Sequence, residues 1–338
     1  MKNSVILIPS YKPDEYLVRT VKSTLDAGFK DIVVIDDGSG SKYDKYFSEV
    51  KNLGAYVIRH SVNLGKGRAM KTAFNTILQE YPKMYGVIVC DADGQHPIDF
   101  VIKIDELMSK NPSSLILGVR EFSKAKIPLP NLLGNTITRL VFFLLTGMRF
   151  SDTQCGLRGY PKKVIEKLLS VSGERYEYEN EMLLECRKSD IPIVEIAMDA
   201  VYLGENGVSH FNRVLDSARI YRCILRFATL PFVAGVISLV VFILLPKENV
   251  LATLIQAMIS VGIGYIIMFI PGRKKLLGAF LASLFTAMFG GFMLLFSYLF
   301  PIMNPLWQFL LSSIPMIAIS YSSFVLKKYG QKPCVIKF

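Results

Sequence analysis

Five short continuous apolar runs, at residues 4–9, 31–37, 56–60, 85–91 and 115–119, are each bounded by turn-forming residues. Runs of this kind suit strands buried on both faces, and hence a mainly parallel sheet. Helical patterns near 14–27, 43–52, 66–80 and 98–110 alternate with them. The alternation predicts a doubly wound α/β domain, with a late strand over 193–203. In such sheets ligands sit beyond the carboxyl ends of the strands.

Four successive strand ends carry polar residues. The first run leads into Pro9-Ser10-Tyr11-Lys12-Pro13-Asp14-Glu15 and the second into Asp36-Asp37-Gly38-Ser39. The third is followed by Asn63-Leu64-Gly65-Lys66-Gly67-Arg68-Ala69, and the fourth by Asp91-Ala92-Asp93-Gly94-Gln95-His96-Pro97. Residues two apart in an extended segment point the same way, so Asp91 and Asp93 can face one ion. Hard carboxylate oxygens in a partly open shell suit Mg²⁺ or Mn²⁺ holding a diphosphate. A lone D-x-D reads as readily as a turn capping the helix that starts near Pro97. Four polar strand ends in sequence order describe a site.

The rest of the chain differs in character. Residues 1–226 hold 31 of the 39 Lys and Arg and 27 of the 28 Asp and Glu; residues 227–338 hold eight basic residues and one acid, Glu248. The formal charge of +11 thus divides as +4 and +7. An excess around apolar segments argues for anionic lipid rather than nucleic acid as partner. Apolar runs at 227–245, 250–271, 276–300 and 305–326 are each long enough to cross a hydrocarbon core of about 30 Å. Arg219, Arg222 and Arg226 precede the first, Arg273, Lys274 and Lys275 separate the second from the third, and Lys327 and Lys328 follow the fourth. By the positive-inside rule the N-terminal domain and both termini are expected on the cytoplasmic side of a multi-pass membrane protein, with 327–338 as a cytoplasmic tail. The strand pattern begins by Val5, which leaves no room for a signal peptide. The five scattered cysteines form no C-x-x-C pair, so reduced thiols are expected and zinc is not.

Two further stretches read as interfacial. In 131–147, Leu133, Ile137, Leu140, Val141, Leu144 and Leu145 follow helical spacing, interrupted by Asn131, Asn135, Thr138 and Arg139. An ordinary core-facing helix fits that pattern nearly as well. In 210–226, Phe211, Val214, Leu215 and Ala218 make an apolar stripe beside the basic one of Arg219, Arg222 and Arg226. A basic amphipathic helix running into an apolar span lies well in a headgroup region.

With these motifs in hand, the chain resembles family-2 glycosyltransferases of the GT-A fold, within them the dolichol-phosphate mannose synthase and bactoprenol-phosphate glucosyltransferase branch. Gly118-Val119-Arg120, Ser151-Asp152-Thr153-Gln154-Cys155-Gly156-Leu157-Arg158 and Arg175-Tyr176-Glu177-Tyr178-Glu179-Asn180-Glu181-Met182 extend the likeness. The tail over 227–326 resembles a GtrA-like four-helix membrane domain, joined by 210–226 to a transferase domain over 1–209. The resemblance implies that Pro9, Tyr11, Glu15, Asp36, Asp37, Lys66, Asp91, Ala92 and Asp93 bind the nucleotide sugar. It implies that Asp91, Asp93 and Gln95 hold Mg²⁺ or Mn²⁺. Arg120, Arg139 and Arg158 would meet the acceptor phosphate. Asp152 and Glu181 join Asp91 and Asp93 as catalytic candidates, for positioning or as a base. Where the family has Asn-Glu after the first Tyr, this chain has Lys12-Pro13.

The segment from Gly65 to Gly67 lacks the third glycine of a dinucleotide fingerprint and follows the third strand, not the first. It reads as a tight turn bringing Lys66 and a helix N-terminus to the donor. His96 reads as structural or as support for the metal ligands; His210 is given no role.

The expected reaction is inverting transfer of a hexose from a UDP-sugar or GDP-mannose to a polyprenyl phosphate, undecaprenyl or dolichyl. A processive polysaccharide synthase shares this fold and tail, but carries a Gln-x-x-Arg-Trp motif; the only tryptophan here is Trp307. A non-catalytic membrane or lipid-carrier component is the alternative from another class, against which Asp37, Asp91, Asp93 and Arg120 argue. The sugar and any self-association stay open.

Overall fold

The structure, a computed structural model, describes residues 3–121 and 149–199 throughout, together with 135–136, 138–139, 142, 215–216, 219–220, 255, 258–259, 262, 288–293, 295, 298–300, 303–304, 307–312 and 335–337. Four of the five apolar runs become strands buried on both faces. β1 (Ser4–Ser10) is buried at all positions but Pro9. β2 (Ile32–Asp36) and β4 (Gly86–Val89) are buried at every position. β3 (Tyr56–Arg59) is partly exposed at one edge, and β5 (Leu115–Glu121) and β7 (Ile193–Asp199) pair in parallel farther along. The late strand begins at Ile193 as the pattern predicts, and residues 200–203 of the predicted span lie outside the described residues.

The sheet is mixed α/β, in the order β3-β2-β1-β4-β6-β5-β7-β8. β6 (Arg158–Pro161) runs antiparallel between β4 and β5. No strand is expected at Arg158-Gly159-Tyr160-Pro161 on pattern, because Gly and Pro are depleted from strand interiors. Packing explains it: a Cβ on Gly159 would lie 2.6 Å from Ile104 Cγ2, so glycine lets the helix above approach. β8 (Val335–Lys337) adds to β7 in parallel.

Helices cover the faces. α1 (Glu15–Asp26) starts where Asp14 accepts the N–H of Tyr16, an N-cap. α2 (Asp44–Asn52), α3 (Lys66–Glu80) and α4 (Ile98–Lys110) follow their strands, as the spacing predicts. α5 (Lys162–Leu168) and α6 (Glu177–Lys188) are additions. Alternate residues of the central strands, Ile6, Ile8, Val34, Ile88 and Ile116, join the core with Leu17, Phe47 and Ile104. Their neighbours Val5, Leu7, Val33, Val87 and Val89 are also fully buried. Strand side chains alternate between faces, so both faces are covered.

The register carries the site. Ser10 stands opposite Asp36, and Asp36 opposite Arg59, so the polar ends of β1, β2 and β3 share one edge.

The chain divides into two compact units: Met1–Phe143, Met148–Ile224 and Pro333–Phe338 in the first, Leu144–Gly147 and Leu225–Lys332 in the second. The run 227–245 lies outside the described residues, as do most of 250–271, 276–300 and 305–326. Among the described residues no helix is long and apolar enough to cross a membrane. Those described in the second unit include Phe289 edge-on to Phe309 at 5.3 Å, and exposed Tyr298 and Trp307.

The described residues of 131–147 are helical, and their buried members are Asn135, Thr138 and Phe142. Two of the polar residues that interrupt the apolar pattern, Asn135 and Thr138, therefore pack inward. Asn135 Oδ1 accepts from the N–H and hydroxyl of Thr153, and Phe142 meets Phe150 edge-on at 5.6 Å. In 210–226, Leu215 is exposed, whereas Asp216 and Ile220 are buried.

Candidate active site

β4 ends at Val89, and Asp91 to Gly94 form a turn rather than a continued strand. The extended geometry expected for Asp91 and Asp93 is therefore replaced by a folded one. Asp93 Oδ1 accepts the N–H of Gln95 at 3.0 Å, and Gly94 takes a φ of 72°. The Asp91 N–H donates to His96 Nδ1 at 3.1 Å, closing the turn. His96 Nε2 lies 3.8 Å from Asp91 Oδ2. Burial lowers the His96 pKa, against the pull of Asp91 and Asp93. His96 thus shapes the turn, consistent with the structural reading of its sequence position.

A Cβ on Gly156 would lie 2.1 Å from Asp91 Oδ2, so only glycine there leaves room for the carboxylate. Lys66, the first residue of α3, brings its ammonium to 2.7 Å from Asp91 Oδ1 and 3.0 Å from Glu179 Oε1. Lys66 and Glu179 are nearly buried. Burial alone would raise the Asp91 pKa, but the Lys66 ammonium overrides it and holds it at about 2. Among the described residues Asp93 has no such cation in contact, and burial followed by the charge of Asp91 raises its pKa.

Two carboxylates on one turn, one destabilised by the other, fit a hard divalent cation. Among the described residues no three of His, Cys, Asp and Glu group as metal ligands. Mg²⁺ characteristically combines one or two carboxylates with water and substrate phosphate oxygens, so two suffice. Gln95 is half-buried beside them.

The helix carrying Lys66 is fixed at its start. Cβ atoms on Gly65 and Gly67 would strike the backbone at Glu174 and Arg175, within 2.5–2.9 Å. The Arg68 N–H donates to the Glu174 carbonyl at 2.9 Å. Glu179 is the α6 carboxylate at Lys66. Glu181, the catalytic candidate from sequence, lies two residues on, about 200° around the helix, and is half-buried. The sequence holds both acids in one stretch and has no signal to choose between them.

Asp36 and Asp37 organise loops. Asp36 is buried; its Oδ1 accepts from the Ser39 N–H and its Oδ2 pairs with Arg59 at 3.0 Å. Asp37 Oδ1 contacts His60 Nδ1 at 2.8 Å and the Leu64 N–H at 2.9 Å; Oδ2 accepts from Asn63 and the Gly65 N–H, both at 2.8 Å. A carboxylate offers about four acceptor sites, and these four bonds fill them. Asp37 therefore anchors the 60–65 loop, with His60 continuing to Thr72 at 3.0 Å. Pro9 and Tyr11 are half-buried at the end of β1. Glu15 is exposed and paired with Arg19 at 2.8 Å. Lys12 takes a φ of 51° and its N–H donates to Ser39 Oγ, joining the first two loops. Ala92 is half-buried within the metal-type turn.

Asp152 is fully buried and takes Arg120 in a fork: Nε to Oδ2 at 2.6 Å, Nη2 to Oδ1 at 3.2 Å. The Gln154 N–H adds 2.9 Å to Oδ1. That geometry makes Asp152 a holder of Arg120, with no face free to act as a base. Arg139 is half-buried, with Nε on the Phe150 carbonyl at 2.8 Å. Arg158 is fully buried and donates to the carbonyls of Cys155, Thr153 and Glu179. It has no exposed edge for an acceptor phosphate, so its sequence-based role there is corrected to loop ordering.

Tyr176 and Asp216 are further members of the neighbourhood. Burial pushes the Tyr176 hydroxyl up to about 12; Lys66 opposes this, and Asp91, Glu179 and Asp216 reinforce it. Asp216 is buried and pairs with Arg219 at 2.7 Å. As the single acid in 210–226, Asp216 was visible in the sequence as an exception to the basic stripe.

Residues 5–169 match the family described as Glycosyl transferase family 2. The protein is a glycosyltransferase. An uncharacterized protein of Methanocaldococcus jannaschii is 28% identical over 219 residues, 64% of this chain and 88% of its own length. The UDP-N-acetylglucosamine--dolichyl-phosphate N-acetylglucosaminyltransferase of Methanococcus voltae is 25% identical, covering 58% of this chain and 85% of its own. The dolichyl-phosphate beta-glucosyltransferase of Dictyostelium discoideum is 23% identical, covering 64% and 69%. In this glycosyltransferase the matched family-2 region spans β1 to α5, and so includes Lys66, the Asp91 turn, Arg120 and Asp152.

Proposed function

We propose that this glycosyltransferase, with a GT-A catalytic domain, moves one hexose from a nucleotide diphosphosugar to a polyprenyl phosphate at the cytoplasmic face of a cell membrane. The observation that carries the reading is the cluster of Asp91, Asp93, Lys66 and Glu179 just beyond β4. Diphosphate is the ligand class that suits paired carboxylates with a neighbouring cation and a helix N-terminus. The names of two relatives include dolichyl phosphate, which supports a lipid phosphate as acceptor.

The chemistry asks little of a base. A phosphate oxygen of the acceptor is already anionic at neutral pH and attacks the anomeric carbon directly. The bond from that carbon to the diphosphate oxygen breaks, the nucleoside diphosphate leaves with the electron pair, and the configuration inverts. Asp91 and Asp93, with Gln95 beside them, would hold Mg²⁺ or Mn²⁺, which supplies Lewis-acid stabilisation of the leaving group. Lys66 adds positive charge on the same side. Arg120, oriented by Asp152, and Arg139 supply the acceptor side, where fixed guanidinium forks align an oxyanion for attack. Four spans over 227–326 and the 210–226 segment would hold this machinery against the lipid.

The test is a donor screen with the full chain in detergent, using UDP-glucose, UDP-N-acetylglucosamine and GDP-mannose with undecaprenyl or dolichyl phosphate. A lipid product heavier by one sugar is expected with one donor. Turnover of every donor without lipid, or of none, would refute the reading.

A further inference from the structure

Lys66 stands where a cation is wanted. Its ammonium touches Asp91 Oδ1 at 2.7 Å and Glu179 Oε1 at 3.0 Å, and is only 15% exposed. Carboxylate oxygens of two different elements thus hold the ammonium from two sides. The Lys66 backbone is fixed by the fit of Gly65 and Gly67 against the Glu174–Tyr178 stretch, so only the side chain is free to pivot. Counting groups in contact or on the same turn, three carboxylates, Asp91, Asp93 and Glu179, face one ammonium.

We infer that Lys66 is the internal counter-ion of the Asp91 turn. In the free enzyme its ammonium takes an Asp91 oxygen that the divalent metal would use, and so keeps metal affinity low. When the nucleotide sugar arrives, the diphosphate draws the ammonium away from Asp91, and that oxygen passes to the metal. Metal and nucleotide then bind cooperatively, which by linkage is reciprocal. The inference rests on the metal reading of Asp91 and Asp93, and it goes further in giving Lys66 a positioning role that is competitive in one state and supportive in the other. A bridge that merely held α3 to α6 would be indifferent to nucleotide.

The experiment measures Mn²⁺ binding to the full chain in detergent by electron paramagnetic resonance, with Mn²⁺ alone and with UDP or GDP. Wild type is expected to bind Mn²⁺ weakly alone and more tightly with one nucleotide. Lys66→Met should bind Mn²⁺ alone about tenfold to a hundredfold more tightly than wild type, the equivalent of one charged hydrogen bond removed from competition. It should also lose most of the enhancement by nucleotide. Lys66→Arg, which keeps the charge, should retain weak binding of Mn²⁺ alone. If Lys66→Met does not fold, Glu179→Gln decides: it leaves the ammonium to Asp91 alone, and Mn²⁺ alone should bind more weakly than to wild type. Unchanged or weaker binding of Mn²⁺ alone by folded Lys66→Met, or unchanged or tighter binding by Glu179→Gln, overturns the counter-ion role and leaves the metal site standing. No Mn²⁺ binding by any protein, with or without nucleotide, overturns the metal reading and this inference together.

Discussion

A methyl group on Gly156 would sit 2.1 Å from Asp91 Oδ2, a distance no pair of such atoms tolerates. Gly156→Ala should therefore leave the sheet intact but push the Asp91 carboxylate off its position. Misplacement of a catalytic group by about 1 Å costs on the order of a hundredfold in rate. We expect a fall of that size in kcat, read by product formation, with unfolding temperature changed little; full activity would show that Asp91 need not hold its present place. Arg120 poses the opposite problem. Its partner Asp152 is fully buried, so Arg120→Ala strands a carboxylate in the protein interior. Breaking a buried pair from one side costs about 3–5 kcal/mol. Thermal unfolding should drop accordingly, and Arg120→Lys should recover part of it. Equal stability of Arg120→Ala and wild type would mean that the fork contributes nothing. Loss of activity in Arg120→Ala alone therefore does not identify an acceptor contact; donor affinity beside acceptor KM in Arg120→Lys does.

α3 owes its position to contacts that no helical periodicity announces. Asp37, on the loop after β2, binds the N–H groups of Leu64 and Gly65 just ahead of the helix, and its ring of partners includes Asn63 and His60. Asp37→Asn replaces one acceptor oxygen by a donor and leaves N–H groups facing it unmatched. Each orphaned buried donor costs about 1–3 kcal/mol. The expected result is a matching loss of stability on denaturant unfolding, with faster amide exchange at Leu64 and Gly65; unaltered exchange there would contradict the anchoring role. The same contrast explains what could be read from sequence. Strands β1, β2, β4 and β5 were legible because burial on both faces writes a continuous apolar run. β6 was not, because Arg158-Gly159-Tyr160-Pro161 owes its strand to glycine fitting under α4 and to Arg158 bonding three carbonyls. The Asp91 turn was legible as a pair of carboxylates after a strand but not as geometry: its fold comes from His96 and Gly94, whose contacts emerge only when the turn closes. Glu179 was hidden beside Glu181, since the choice depends on the rotation of α6 over Lys66.

At the scale of the whole chain, charge and hydropathy set the expectations that extend beyond the described residues. The basic flanks at Arg219–Arg226, Arg273–Lys275 and Lys327–Lys328 predict that the catalytic domain and the 272–275 loop share the cytoplasmic side. A cysteine introduced at Asn249 or Asn304 should react with an impermeant label added to intact cells, and one at Gly40 should not; the reverse pattern would invert the orientation. Within the first unit, residues far apart in sequence meet: Lys66 contacts Asp91 and Glu179, and Arg120 contacts Asp152. The decisive measurement is the stoichiometry of the purified full chain acting on its nucleotide sugar and polyprenyl phosphate. The account predicts one nucleoside diphosphate released per lipid carrying a single sugar, none without lipid, and none from Asp91→Asn. Chains of several sugars on one lipid, or undiminished turnover by Asp91→Asn, would contradict it.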